Sequence, residues 1–270
     1  MNLAEIESAT RIIWPALEQM ELPYGVLRYA RGVSRRSNSL SIYPECDANG
    51  VELISRAEKF FKARQLDSII RVLDKEAKAS CDFQSLDNLL EAHSYRLEAP
   101  TKLMVMSLTP LATIARDDIG TIKQLSLEDW LHHWYEFSEQ NSSNFQTHLK
   151  MMGGIPAPHC FAVIKDKHGH IVSCGMAVKS GKGVGLSCIA TAKAQRGKCY
   201  GKALLNKLTH WSAEQDASYC FLQVESENTS AISLYNKAGF TKLYSYWYRV
   251  KSLVGNSSVE SSDSVKGAEK

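Results

Sequence analysis

The residues with the clearest chemical potential form a basic, glycine-containing loop at 195–201, Gln-Arg-Gly-Lys-Cys-Tyr-Gly. An apolar run at 185–191 precedes the loop and an apolar-periodic stretch at 202–211 follows it, a pattern that predicts strand, loop and helix. The start of a helix leaves about four backbone N–H groups unpaired and carries partial positive charge. The loop is therefore a candidate cradle for a phosphate-containing ligand, although a basic turn before a surface helix has a similar sequence.

Spacing excludes two of the common phosphate-binding loops. The NTPase P-loop requires G-x-x-x-x-G-K-[ST], but Gly197 and Gly201 are one residue too close together and Ala203 replaces the magnesium-binding hydroxyl. The dinucleotide fingerprint requires G-x-G-x-x-G, and the loop contains no G-x-G. A third kind of phosphate loop has to be considered.

A second segment with chemical potential begins about thirty residues later. Residues 219–225 form an apolar run that predicts a buried strand, and the sequence after it predicts a short helix. Asn228 or Thr229 suits the N-cap of this helix. Ala231, Leu234 and Tyr235 share one face, and Gly239 suits the left-handed position just after the helix.

Together, the two segments resemble the GNAT N-acetyltransferases. Residues 196–201 match the family's pyrophosphate loop, [QR]-x-x-G-x-[GA], except that Cys199 stands where the middle glycine is usual, so this residue must accept ordinary φ values or strain. Residues 228–240 fill every position of the second motif, N-x-x-A-x-x-L-Y-x-x-x-G-F. Both motifs occur in the family's order and spacing, and the chain is identified by this similarity as a member of the superfamily.

The resemblance implies acetyl-CoA as co-substrate, direct transfer of its acetyl group to an amine, and no metal ion. It implies that the backbone of Ile189, Ala190 and Thr191, in the strand before the loop, binds the pantetheine arm and the thioester carbonyl, and that Asn228 reaches the pantetheine. The implied pyrophosphate-binding residues are Arg196, Gly197, Lys198, Cys199, Tyr200, Gly201 and Lys202. Tyr235 matches the general acid that protonates the departing sulfur, although a helix-face tyrosine can also simply pack on the sheet.

The general base and the acceptor site are less clearly marked. Glu225, at the end of the strand before the second motif, is the candidate base, acting directly or through water, and a solvated strand-end glutamate is the alternative. Tyr135, His132 and His133 are candidates to line the acceptor site. Surface or core roles are equally compatible with these three residues.

Composition indicates a compact protein and gives no support for several other classes. The chain has 270 residues and a net charge of +3, and no basic stripe with interleaved aromatic residues suggests nucleic-acid binding. No apolar run of 18 residues suggests a membrane span. Seven scattered cysteines without a C-x-x-C pair, and no signal peptide, favour a reducing cytoplasm. The eight histidines show no metal-ligand spacing.

Hydrophobic periodicity predicts alternating helices and strands, and the resemblance implies an α/β (α+β) fold with two GNAT-like domains. Each domain is then expected to contain a mixed, mostly antiparallel sheet flanked by helices, with a splayed parallel strand pair in the C-terminal one. The predicted division is a degenerate GNAT-like domain at 1–110, a catalytic domain at 111–252 and a disordered Ser-rich tail at 253–270. The chain is expected to begin with an amphipathic helix over 1–20, followed by strands at 24–30, 38–43, 68–73 and 102–108 and helices at 52–64 and 85–93.

The N-terminal half resembles a second GNAT copy that has lost cofactor binding. Residues 88–95 align without gaps on 233–240, which places Leu90 on Tyr235 and Ser94 on Gly239. This half has no glycine loop, so we expect it to shape the acceptor site rather than bind the cofactor, with Arg35, Arg36 and Asn38 as its polar contributors.

Two functions remain open from the sequence. The favoured one is an acetyl-CoA-dependent N-acetyltransferase that acts on an amine of a small molecule or peptide. The alternative is a catalytically silent module that binds acyl-CoA, which Cys199 in the loop makes conceivable.

Overall fold

The computed structural model describes residues 2–46, 49–108 and 121–253. The helices are α1 (Leu3–Ile13), α2 (Gly50–Lys62), α3 (Phe83–Ala92), α4 (Leu127–Ser138), α5 (Phe145–Gly153), α6 (Tyr200–Glu214) and α7 (Thr229–Lys237). The strands are β1 (Glu18–Leu22), β2 (Gly25–Tyr29), β3 (Leu40–Ile42), β4 (Ser68–Leu73), β5 (Arg96–Ser107), β6 (Thr121–Gln124), β7 (His159–Lys165), β8 (Ile171–Ser180), β9 (Gly183–Thr191), β10 (Tyr219–Glu225) and β11 (Thr241–Lys251).

All eleven of these strands belong to one sheet, in the order β1-β2-β3-β4-β11-β5-β10-β9-β8-β7-β6. Neighbouring strands are antiparallel except for two parallel pairs, β3 with β4 and β9 with β10. Each half of the chain therefore contributes one parallel pair to a mostly antiparallel sheet. The predicted α/β class with two GNAT-like halves is confirmed.

The two halves exchange strands at the centre of the sheet. β5 follows α3 in the N-terminal half but lies beside β10, and β11 follows α7 in the C-terminal half but lies beside β4. β5 and β11 also pair with each other. Each half thus completes the sheet of the other half. The division at residues 110 and 252 stays a prediction, since residues 109–120 and 254–270 lie outside the described residues.

Backbone geometry supports the internal repeat in the register expected from the sequence. Ser94 and Gly239 both have positive φ, 65° and 95°. The next residues close the helix ends with the same hydrogen bond, from Tyr95 N to Leu90 O and from Phe240 N to Tyr235 O, each 3.0 Å. The aligned eight-residue segments therefore end their two helices with the same backbone geometry.

The predicted N-terminal helix over 1–20 is wrong in its second half. α1 ends at Ile13, and residues 18–22 form strand β1 instead. The cause is Pro15, which disfavours helical backbone at the preceding Trp14 and cannot supply an N–H group to continue the helix.

A buried ion pair fastens α1 to the sheet. The Glu7 carboxylate accepts hydrogen bonds from Arg71 of β4, one of them 3.0 Å long, and from the Tyr244 hydroxyl of β11. Glu7 is 2% exposed and Arg71 6%. Because α1 also packs on β8 and β9, this cluster helps fix the position of the two halves around the centre of the sheet.

Candidate active site

The parallel strands β9 and β10 separate to form a wedge. They pair only from Gly183 with Tyr219 to Leu186 with Leu222, while β10 stays paired with β5 as far as Glu225. At the point of separation β9 contains a bulge, where Cys188 has a φ of 55° and the register with β8 shifts. The bulge turns the backbone of the following residues away from β10, as expected for a splayed pair.

An outer groove of about 760 Å³ runs from the wedge to the start of α6. Nearly all the predicted cofactor-binding residues line it: Ile189, Ala190, Thr191, Arg196, Gly197, Cys199, Tyr200, Gly201, Lys202 and Asn228. Lys198 is not part of the lining, and its Nζ donates a hydrogen bond to Gln195 Oε1 at 2.9 Å. The structure thus brings together ten of the eleven predicted residues.

The loop geometry suits an anionic ligand. Gly197 and Cys199 both have positive φ, 76° and 64°, so Cys199 occupies a glycine-like conformation at some cost in strain. α6 begins immediately afterwards, and no side chain of the described residues caps it. In the N-terminal half, by contrast, the Asn49 side chain caps α2 by accepting from the N–H groups of Val51 and Glu52. Of these two corresponding helices, only α6 has its first turn open to a ligand.

Tyr235 lies where the outer groove meets an inner cavity. Its side chain is 8% exposed and packs against Phe240, with ring centroids 6.1 Å apart. Burial raises the pKa of the phenol to about 12, and the Cys188 thiol adds to the shift. Among the described residues no hydrogen-bond partner of the Tyr235 hydroxyl is found, so this hydroxyl can donate to a ligand.

The inner cavity has a volume of about 470 Å³ and is lined by both halves of the chain. Glu225 lies on its wall, and Ile189, Asn228 and Tyr235 line both this cavity and the outer groove. Two ligands, one in each space, would therefore meet at these three residues. The predicted catalytic pair, Tyr235 and Glu225, faces the same cavity.

The residues expected to shape the acceptor site from the N-terminal half have different positions. Arg35 and Arg36 line the inner cavity, but Asn38 does not. The buried Asn38 side chain instead holds the 30–38 loop together, accepting from Ala30 N and Gly32 N and donating to Ser34 O at 2.8–2.9 Å. Asn38 therefore positions the two arginines.

The three candidates on α4 lie outside the inner cavity, in the surface or core roles that the sequence also allows. His132 and His133 contact Phe145 and Phe137 and do not line the cavity. Tyr135 does not line it either, but its hydroxyl is 2.6 Å from Nδ1 of His148, which does. The reason is helical geometry, because Trp134 takes the position on the cavity side of α4. Burial lowers the pKa of His148 to about 4, so the imidazole is neutral near pH 7.

Several cavity residues were not recognised in the sequence. They are Trp14, Trp134, His148, Gln223, Tyr246 and Tyr248, together with Cys188 at the bulge. The alternation of tyrosines at 244, 246 and 248 is a recognisable strand signal, but nothing local indicates which site a strand will face. Within the described ranges, no group of three or more His, Cys, Asp or Glu side chains is arranged to hold a metal ion. None of the described helices combines the length and apolar character needed to cross a membrane.

Comparison with known proteins agrees with this arrangement. Residues 2–249 match the model of a family described as probable histone acetyltransferase Rv0428c C-terminal. The chain is 25% identical over 253 residues to the uncharacterized N-acetyltransferase YobR of Bacillus subtilis, a match that covers 93% of this chain and 99% of YobR. This chain belongs to the Rv0428c C-terminal family, within the GNAT superfamily, and is an acyltransferase of GNAT type.

Solved structures share the fold at low sequence identity. A GCN5-related N-acetyltransferase from Kribbella flavida superimposes with a TM-score of 0.66 at 15% identity. The superposition covers 93% of this chain and 96% of the Kribbella flavida protein. A tandem GNAT protein from the clavulanic acid biosynthesis pathway gives a TM-score of 0.59 at 13% identity. This superposition covers 81% of this chain and 74% of the tandem protein. These similarities concern the fold alone.

Proposed function

We propose that this acyltransferase moves the acetyl group of acetyl-CoA directly to an amine of a small molecule or peptide. The observation that carries the proposal is the junction of the outer groove and the inner cavity at Ile189, Asn228 and Tyr235. A thioester in the groove and an amine in the cavity would meet there without an acyl-enzyme step.

The outer groove suits the co-substrate. The open N–H groups at the start of α6 and the basic residues Arg196 and Lys202 complement a pyrophosphate. The backbone of Ile189, Ala190 and Thr191 lines the path to the wedge. A backbone N–H aimed at the developing oxyanion in a dry cleft contributes about 3 kcal/mol to transition-state stabilisation.

Two side chains complete the proposed chemistry. Glu225 accepts the proton of the attacking amine, directly or through water, and the amine nitrogen bonds to the thioester carbon. As the carbon–sulfur bond breaks, the Tyr235 hydroxyl donates to the departing thiolate. The raised pKa keeps this phenol protonated throughout the neutral range.

The silent acyl-CoA-binding alternative is not favoured. It was motivated by Cys199, but Cys199 adopts the glycine-like backbone conformation and the start of α6 stays open. A pure binding module also has no need for a second cavity that contacts Tyr235.

The discriminating experiment follows thiol release from acetyl-CoA with a panel of amines, including a histone-derived lysine peptide because of the family's description. The expected result is amine-dependent thiol release with acetylated product identified by mass spectrometry. Saturable binding of acetyl-CoA without turnover on any amine would favour the silent module instead.

A further inference from the structure

An arginine without an acidic partner faces the inner cavity. Arg36 is half-buried and its guanidinium lies over the Trp14 ring, with Cζ 5.3 Å from the ring centroid. No ion pair of Arg36 occurs within the described ranges, whereas the adjacent Arg35 is bonded through Nε to Glu98 at 2.9 Å. A half-buried guanidinium without an acidic partner keeps N–H donors that suit a carboxylate or a phosphate.

Hydrogen bonds from Arg28 and Asn38 fix the position of the loop that carries Arg36. The Arg36 carbonyl accepts a hydrogen bond from Nη1 of the buried Arg28 at 2.5 Å, and Asn38 clamps the same loop. Within the part of the chain that the structure describes, Arg28 itself bonds only to backbone carbonyls. Burial and the neighbouring charges of Arg11, Arg36 and Arg71 lower the pKa of Arg28 to about 9. Arg28 does not line the cavity, but it adds positive charge directly behind the Arg36 backbone.

The part of the cavity lining that β10 contributes contains a buried donor. Nε2 of Gln223 has no hydrogen-bond partner among the described residues, while its Oε1 accepts from the Tyr246 hydroxyl at 2.6 Å. The rings of Tyr246 and Tyr248 are 5.7 Å apart, and the Arg36 charge acts on both Tyr248 and Cys188. Arg36 and Gln223 thus belong to one continuous surface beside the bulge. Buried donors without partners are rare in folded proteins.

We propose that the acceptor is an amine that also carries an anionic oxygen group, a carboxylate or a phosphate ester, which Arg36 binds and to which Gln223 donates. This inference rests on the proposed function and names its substrate class. Guanidinium groups bind both kinds of anion through paired N–H donors. The same wall repels lysine-rich peptides, since it already holds more positive than negative charge.

The first test compares acceptors that differ only in the anionic group. We expect kcat/KM for L-amino acids or O-phosphoethanolamine to exceed that for the corresponding decarboxylated amines or ethanolamine by about tenfold or more. The series with the higher kcat/KM shows whether the site binds a carboxylate or a phosphate ester. Equal rates with the neutral amines, or a preference for the lysine-rich peptide, would overturn the inference while leaving acetyl transfer intact.

Variants assign the preference to Arg36. Arg36→Gln should lower kcat/KM for the anionic acceptor about tenfold to a hundredfold, and Arg36→Lys should retain part of it. Arg31→Gln is the matched control, because Arg31 lies in the same loop, is exposed and does not line the cavity. If Arg31→Gln lowers the preference as much as Arg36→Gln, the effect is one of net charge and the assignment fails.

A binding measurement separates this inference from the proposed function. Trp14 and Trp134 line the cavity, so ligand binding should change the intrinsic fluorescence. We expect N-acetyl amino acids, which contain no free amine, to bind to the wild-type protein but not to Arg36→Gln, and their neutral carboxamides to bind neither. This result supports the anion site even if no amine is acetylated, whereas equal binding of the carboxamides would contradict it.

Discussion

Replacing Tyr235 by phenylalanine tests the proposed acid most directly. The change keeps the ring that packs against Phe240 and removes only a hydroxyl without a partner among the described residues, so stability should barely change. CoA binding should also be preserved, because the phosphate-binding part of the groove is untouched. Loss of a general acid lowers turnover by roughly a hundredfold or more, equivalent to about 2.7 kcal/mol in activation free energy.

The assay for Tyr235→Phe is steady-state thiol release with the best acceptor, combined with calorimetric titration of CoA. Since burial raises the Tyr235 pKa to about 12, the ratio of wild-type to variant kcat should stay constant from pH 7 to about pH 10. Tyr95→Phe is the matched control, because Tyr95 lies at the position that Phe240 occupies in the other half and its hydroxyl bonds to Ser68, away from both cavities. Wild-type turnover in Tyr235→Phe across this pH range would reduce Tyr235 to a packing residue.

Three further perturbations probe the loop, the cavity and the buried ion pair. Gly201→Glu should abolish CoA binding in calorimetry, because it adds negative charge at the open start of α6. The fold should tolerate the change, since a Cβ at this position meets only ordinary contacts of 3.5 Å with Leu234 and 3.6 Å with Thr191. Unchanged affinity would show that the phosphates bind elsewhere. His148→Gln should reduce the loss of stability on acidification. The folded pKa of His148 is about 4, below the ordinary 6.5, so the unfolded chain binds more protons between these values and the wild type loses stability as pH falls from about 6.5 towards 4. Equal pH slopes of the free energy of unfolding in urea for both proteins would contradict this. Glu7→Ala should lower the free energy of unfolding by about 3–5 kcal/mol, because it leaves the buried Arg71 charge without its ion-pair partner. A loss below about 1 kcal/mol would show that water replaces the carboxylate.

Residue patterns local in sequence predict most of the lining of the outer groove. The loop at 195–201 and the helix with Asn228, Tyr235 and Gly239 are defined by residues close in sequence, and the Asn228 cap and the positive φ of Gly197 and Gly239 follow from residue type. α5 was not recognised, although Asn144 before it and Gly153 and Gly154 at its C-terminal end are ordinary boundary residues.

The lining of the inner cavity could not be predicted from local sequence. Its walls come from elements far apart in the chain, and the exchange of β5 and β11 decides that Tyr246 and Gln223 meet. No local pattern encodes which strands become neighbours. The bulge at Cys188 was equally hidden, since cysteine has no preference for positive φ.

Direct transfer at the junction of the groove and the cavity can be tested by mixing the 270-residue protein with acetyl-CoA, first without and then with the acceptor, while counting bound cofactor, released thiol and acetylated amine. We expect one acetyl-CoA bound per chain, no acetylated protein before the acceptor is added, and one thiol released for each amide formed afterwards. Two cofactors per chain, or an acetylated protein that transfers its group to the acceptor after free acetyl-CoA is removed, would contradict it.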